Sequence, residues 1–197
     1  MSIELKRICV FCGANLGDDP EFAIIAGKLG RMIAEAGHEV VYGGGRVGLM
    51  GVLADAALEA GGRVAGFIPQ ALLDREVGHR GVTELIVTDS MHTRKAAMAD
   101  RADGFVALPG GFGTLDEVME ILTWNQIGSI SKPVAFLDAG GYFTNLFRFF
   151  DDAVVGGLIK AEHRSMAQHA STVDEAIAIA TSPAPSSPSK WTDPTVR

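Results

Sequence analysis

Cysteine is scarce in this chain, with two in 197 residues. Cys9 and Cys12 form C-x-x-C, but in the run RICVFC the two-residue period of a strand sends them to opposite faces. No second pair or histidine joins them, which argues against redox or metal chemistry. Apolar runs are short. None approaches the ~20 residues of a membrane span, and no basic segment precedes an apolar one at the N-terminus, so a soluble, cytoplasmic protein is expected. Basic residues are outnumbered 17 to 24, giving a net charge of -7. That balance disfavours coating nucleic acid or an anionic membrane, while leaving small anionic ligands open. No internal repeat is present, no His, Cys and carboxylate cluster has metal-ligand spacing, and no G-x-S-x-G elbow surrounds a serine.

What is present is an alternation. Apolar runs (RICVFCGA, HEVVYGG, RVAGFIP, TELIVTD, GFVALPGG, KPVAFLD) are separated by helical patterns such as PEFAIIAGKLGRMIAEAG and GLMGVLADAALEA. This predicts an α/β, Rossmann-like, doubly wound, mostly parallel sheet with helices on both faces. Hydrophobic residues make up 47% of the chain, enough for one core, and the length suits one domain over residues 1–181. Asp18-Asp19-Pro20 supplies a cap and first-turn proline for the first long helix, and Gly37 stands where a C-terminal glycine is expected. Residues 182–197 are rich in Pro and Ser, which predicts a flexible tail.

Ligands in such sheets bind beyond the carboxyl ends of the strands. Two glycine clusters lie at such ends. Gly43-Gly44-Gly45-Arg46-Val47-Gly48 matches G-x-G-x-x-G in form, but it follows the second strand and has no acid at the distance a ribose requires, which argues against a dinucleotide. Neither cluster contains G-K-[ST], so a nucleoside triphosphate loop is missing. The shared physics remains: glycines let amides approach a ligand, and a helix N-terminus favours an anion. Both turns suit a phosphate, although tight turns alone would also explain the glycines.

The second cluster, LPGGFGTLDEV, ends in Thr114-Leu115-Asp116-Glu117, a pattern that also reads as a capping box. Leu115, Val118, Met119 and Leu122 form a stripe for the core, leaving Thr114, Glu117, Ile121 and Trp124 on another side. The helix terminus and a nearby arginine would keep Glu117 ionised. In DSMHTRKAAM, Met91, Arg94, Lys95 and Met98 share one helical face, so two cations sit in an otherwise apolar stripe. They either reach solvent or face an anionic ligand in a cleft. Ser90 reads as a helix-start residue and His92 as a surface or packing residue.

PGGFGTLDE, SMHTRK and GGGRVGLMG together resemble the LOG (Lonely Guy) family, formerly described as lysine decarboxylases, over about residues 5–180. The resemblance implies hydrolysis of the N-glycosidic bond of cytokinin riboside 5'-monophosphates, and probably of AMP, giving free base and ribose 5-phosphate. It implies Arg94 and Glu117 as the catalytic pair. For substrate contacts it implies Glu76, Lys95, Gly44, Gly45, Gly110, Gly111, Phe112, Gly113, Thr114, Leu115, Asp116 and Thr123, besides the pair. No metal or cofactor is implied. The partner is a small nucleoside 5'-monophosphate, and the assembly a homodimer, for which the helix carrying Ile121 and Trp124 would offer apolar surface. A carboxylate beside the sugar suits an oxocarbenium-like transition state, while the phosphate supplies remote binding energy. A noncatalytic nucleotide carrier or sensor could be built on the same turns without using Glu117.

Overall fold

Asp19 caps the first helix by accepting from the Glu21 amide, and Pro20 opens it, so helix α1 runs Pro20–Glu35. Gly37 follows in the left-handed region with φ 76°, as its position after the helix predicts. The computed structural model describes residues 4–75 and 77–186. Most of the expected tail, residues 187–197, and Glu76 lie outside the described residues.

The apolar runs become strands β1 (Arg7–Phe11), β2 (Glu39–Tyr42), β3 (Arg63–Pro69), β4 (Glu84–Thr88), β5 (Gly104–Ala107) and β6 (Val134–Leu137), and a seventh, β7 (Ala167–Ala170), joins them. They form one sheet in the order β4-β3-β2-β1-β5-β6-β7, and every strand pair in it is parallel. The expectation of a mostly parallel sheet is thus met in full. Strand β7 was not expected, because AQHA is too short and too polar to register as an apolar run.

Helices α2 (Gly48–Glu59), α3 (Gln70–Leu73), α4 (Met91–Arg101), α5 (Phe112–Gln126), α6 (Thr144–Val155), α7 (Ala161–Arg164) and α8 (Val173–Thr181) complete the architecture. Side-chain alternation along β1 divides the core in two. Ile8, Val10 and Cys12 pack with Leu29 and Ile33 of α1, Leu53 of α2 and Ala176 of α8. Cys9 and Phe11 pack on the other face with Met98 of α4, Val118 and Ile121 of α5, and Phe150 of α6. The two cysteines therefore face opposite layers, as the period of two requires. Burial foremost, and Glu117 after it, push both thiols up, so they remain neutral core groups. The chain order reverses direction at β1, with β2 to one side and β5 to the other, which places a crevice above the carboxyl ends of these central strands.

Among the described residues, no helix is long and apolar enough to cross a membrane.

Candidate active site

A cleft of about 660 Å³ opens at those carboxyl ends, lined by segments that follow β1, β2, β3, β5 and β6 and by the start of α4. Ser90 caps α4 in a reciprocal box with Thr93, which fits its expected place at a helix start. One turn on, Arg94 is buried, and its nitrogens reach three elements. Nε donates to the Phe67 carbonyl at 2.9 Å, Nη2 to the Gly43 carbonyl at 3.3 Å and Nη1 to Glu117 Oε1 at 2.8 Å. The second cation of the stripe behaves differently. Lys95 Nζ lies 3.0 Å from Asp116 and 3.1 Å from Glu120. Desolvation opposes its charge, but hydrogen bonds to these two carboxylates hold its ammonium above the ordinary lysine value. So the shared face resolves into a buried arginine in the cleft and a lysine tied to α5.

The first glycine turn explains the seating of Arg94. A side chain at Gly43 would overlap Arg94 Nη2, and Gly44 has φ 71°, a conformation that glycine adopts without strain. Much of this turn's backbone is already engaged: the Gly44 carbonyl accepts from the His79 amide, and the Arg46 amide donates to the Val77 carbonyl. Gly43 and Gly45 line the cleft, while Gly44 is not part of its wall.

The second turn leads straight into α5. Gly111 is the N-cap and its carbonyl accepts from Leu115 N, so the amides before Leu115 have no acceptor within the helix. Gly110, Gly111, Gly113 and Thr114 all line the cleft, which gives the open amide end of a helix for an anion. A capping box at Thr114 and Glu117 is not formed. The helix begins at Phe112, so Thr114 is already its third residue, and the Glu117 carboxylate pairs with Arg94 in place of turning back to a cap.

Glu117 and Thr114 are buried, with Ile121 on the same side. The expected core stripe is accordingly shifted. Val118 and Ile121 are in the core proper, whereas Leu115, Met119 and Leu122 are half-buried against it. Ile121 is 2% exposed, so it does not offer the surface for a second subunit that its helical position suggested. Burial raises the Glu117 carboxyl above its ordinary value, and the Arg94 guanidinium opposes that shift. The expectation of helix-terminal stabilisation fails on position, since Glu117 stands beyond the first turn, where the dipole effect fades.

Of the other expected contacts, Asp116 lines the cleft, and Leu115 packs toward the core. Phe112 projects outward and is 95% exposed. Thr123 donates to the Met119 carbonyl and lines a separate small groove with Phe150 and His163. Several cleft residues are absent from the expected substrate contacts, among them Phe22, Met91 and Tyr142. Tyr142 could have been found from Gly140-Gly141 after the β6 run, a turn at a strand's carboxyl end.

A family model described as "Possible lysine decarboxylase" matches residues 50–179. The probable cytokinin riboside 5'-monophosphate phosphoribohydrolase LOGL1 of Oryza sativa subsp. japonica is 45% identical over 169 residues, covering 86% of this chain and 76% of that protein. The cytokinin riboside 5'-monophosphate phosphoribohydrolase LOG7 of Arabidopsis thaliana is 43% identical over 172 residues, covering 87% and 79%. The chain belongs to the LOG family. Its fold is shared more widely: the molybdenum cofactor carrier protein of Chlamydomonas reinhardtii superimposes with a TM-score of 0.68 at 26% identity, covering 89% of this chain and 94% of that one. Within the LOG family pattern, PGGFGTLDE supplies the α5 end of the cleft and SMHTRK the buried arginine.

Proposed function

We propose that this LOG-family chain hydrolyses the N-glycosidic bond of cytokinin riboside 5'-monophosphates and of AMP, releasing free base and ribose 5-phosphate. The observation that carries this reading is the buried Arg94–Glu117 pair, 2.8 Å apart, beside the open amide end of α5. The amides of that end take the phosphate, and the ribose then extends along α5 toward Glu117. As the bond from C1' to the base nitrogen breaks, its electron pair leaves with the base and positive charge gathers on the sugar. The Glu117 carboxylate stabilises that charge and orients the water that adds to C1', while the base nitrogen gains a proton. Arg94 favours the anionic form of Glu117 and so opposes the upward push of burial. Its own orientation is set by the Phe67 and Gly43 carbonyls.

A decarboxylase reading finds no support in the lysines. Lys95 is tied to Asp116 and Glu120, and Lys132 Nζ donates to the Ala99 carbonyl; neither lines the cleft. The carrier reading has the molybdenum cofactor carrier as its structural precedent, but it leaves the buried ion pair without a task. The two separate in one experiment. AMP and N6-isopentenyl-AMP are incubated with the protein and with Glu117→Gln, and released bases are separated by chromatography. Free base from the native protein, with at least a hundredfold loss in the variant, supports hydrolysis. Thermal stabilisation by nucleotide with no base released would establish a carrier. The same protein is taken to act as a cytoplasmic homodimer, which light scattering at micromolar concentration checks by mass.

A further inference from the structure

The turn at the N-terminus of α5 is held by a residue of the loop after β6. Tyr142 Oη donates to the Gly110 carbonyl at 2.6 Å. The preceding carbonyl, that of Pro109, accepts from the Gly13 amide at 3.1 Å. Two successive peptide oxygens are thereby fixed, one by the loop after β1 and one by the loop after β6. In a planar trans peptide the C=O and the next N–H point in opposite directions. Pinning the Gly110 oxygen therefore fixes which way the Gly111 amide faces, and Gly111 is the N-cap of α5. The same two anchors set the angle at which the whole amide end enters the cleft.

Tyr142 is itself braced. Gly140 and Gly141 both have positive φ, 61° and 80°, so the loop turns sharply just before it. Its ring meets Phe22 edge-on with centroids 5.4 Å apart, and Phe143 edge-on at 5.1 Å. Phe22 stands in the first turns of α1. The hydroxyl is thus delivered to Gly110 by packing that the hydroxyl does not itself create. Tyr142 is also a cleft-lining residue, 44% exposed, so its energetic weight lies in that one hydrogen bond more than in burial.

We propose that Tyr142 is a positioning residue for the anion-binding turn, setting affinity for the phosphoryl end of the ligand without touching the reacting bond. The inference rests on the reading of the cleft as a nucleoside monophosphate site. It makes a claim a merely structural role would not, because only phosphorylated ligands should sense the change.

The test compares the native protein with Tyr142→Phe, which keeps the ring and its edge contacts. Binding of ribose 5-phosphate, of AMP and of adenosine is measured by calorimetry, beside KM and kcat for AMP. About a tenfold weaker binding of both phosphorylated ligands is expected, with KM rising in parallel and kcat and adenosine binding within twofold of native values; a hydrogen bond of ordinary strength sets that scale. Unchanged ribose 5-phosphate binding in the variant overturns the proposal. Equal losses for adenosine and AMP overturn it as well, since they would mark general damage to the cleft. If the native protein binds AMP but releases no adenine, the hydrolase reading fails, while the calorimetric comparison still decides the role of Tyr142. If neither phosphorylated ligand binds the native protein, both fall.

Discussion

Gly43 and Arg94 compete for the same space: the guanidinium lies where a Gly43 side chain would begin, and the Gly43 carbonyl accepts from Nη2 at 3.3 Å. Gly43→Ala should therefore displace Arg94 and loosen its hold on Glu117. The expected cost is about 1–3 kcal/mol of stability from overpacking, with a fall in turnover larger than that loss of fold would explain. Chemical denaturation and initial rates on AMP, measured on the same preparation, check both.

The ion pair predicts a non-additive series. Arg94→Met leaves Glu117 buried without its cation and should destabilise by about 3–5 kcal/mol. Adding Glu117→Met should return much of that stability while activity stays lost, because two apolar side chains then replace two charges. A double variant no more stable than Arg94→Met would mean that the pair is not the source of the penalty.

The raised carboxyl of Glu117 fixes the sign of two pH effects. Activity needs the anion, so the acid limb of kcat/KM should lie above the ordinary glutamate range. Stability goes the other way. The folded carboxyl holds its proton where the unfolded chain has released it, so this group's contribution is fully present below the unfolded value and is lost as pH rises through the folded one. In Glu117→Gln that loss should be missing, and the stability of the native protein relative to the variant should decline across the same interval in urea titrations.

Helix α4 carries Arg94, and its N-terminus depends on Ser90, whose hydroxyl accepts from the Thr93 amide at 3.2 Å. Ser90→Ala should cost about 1 kcal/mol. Its thermal midpoint should drop by a few degrees, and a substrate or product that bridges to α5 should recover part of the drop.

Much of this is legible in the sequence, for local reasons. Asp19, Pro20 and Gly37 act through neighbours in the chain, and the opposite facing of Cys9 and Cys12 follows from strand period alone. Arg94 stood out because an apolar stripe does not hold an unpaired cation without cause. What escaped depended on contacts distant in sequence. The Thr114 and Glu117 spacing fits a capping box, yet a partner 23 residues away on α4 takes the carboxylate. Tyr142 reaches Gly110 across 32 residues, which no local pattern encodes. Strand β7 is defined by its pairing with β6 more than by its own residues. Lys95 and Arg94 share a face by periodicity, but only the packing of α5 separates a cleft group from a tether.

The walls of the cleft are drawn from positions as far apart as Cys12 and Tyr142, contributed by the loops and helix starts that follow five strands and by α4. Such a cavity has no partial version. A chain that has not yet laid β6 beside β5 lacks the Tyr142 brace, and one whose β3 is unpaired lacks the Phe67 carbonyl that steadies Arg94. Ligand protection against proteolysis should thus arise late in refolding and vanish early in unfolding, making nucleotide occupancy a gauge of the completed sheet.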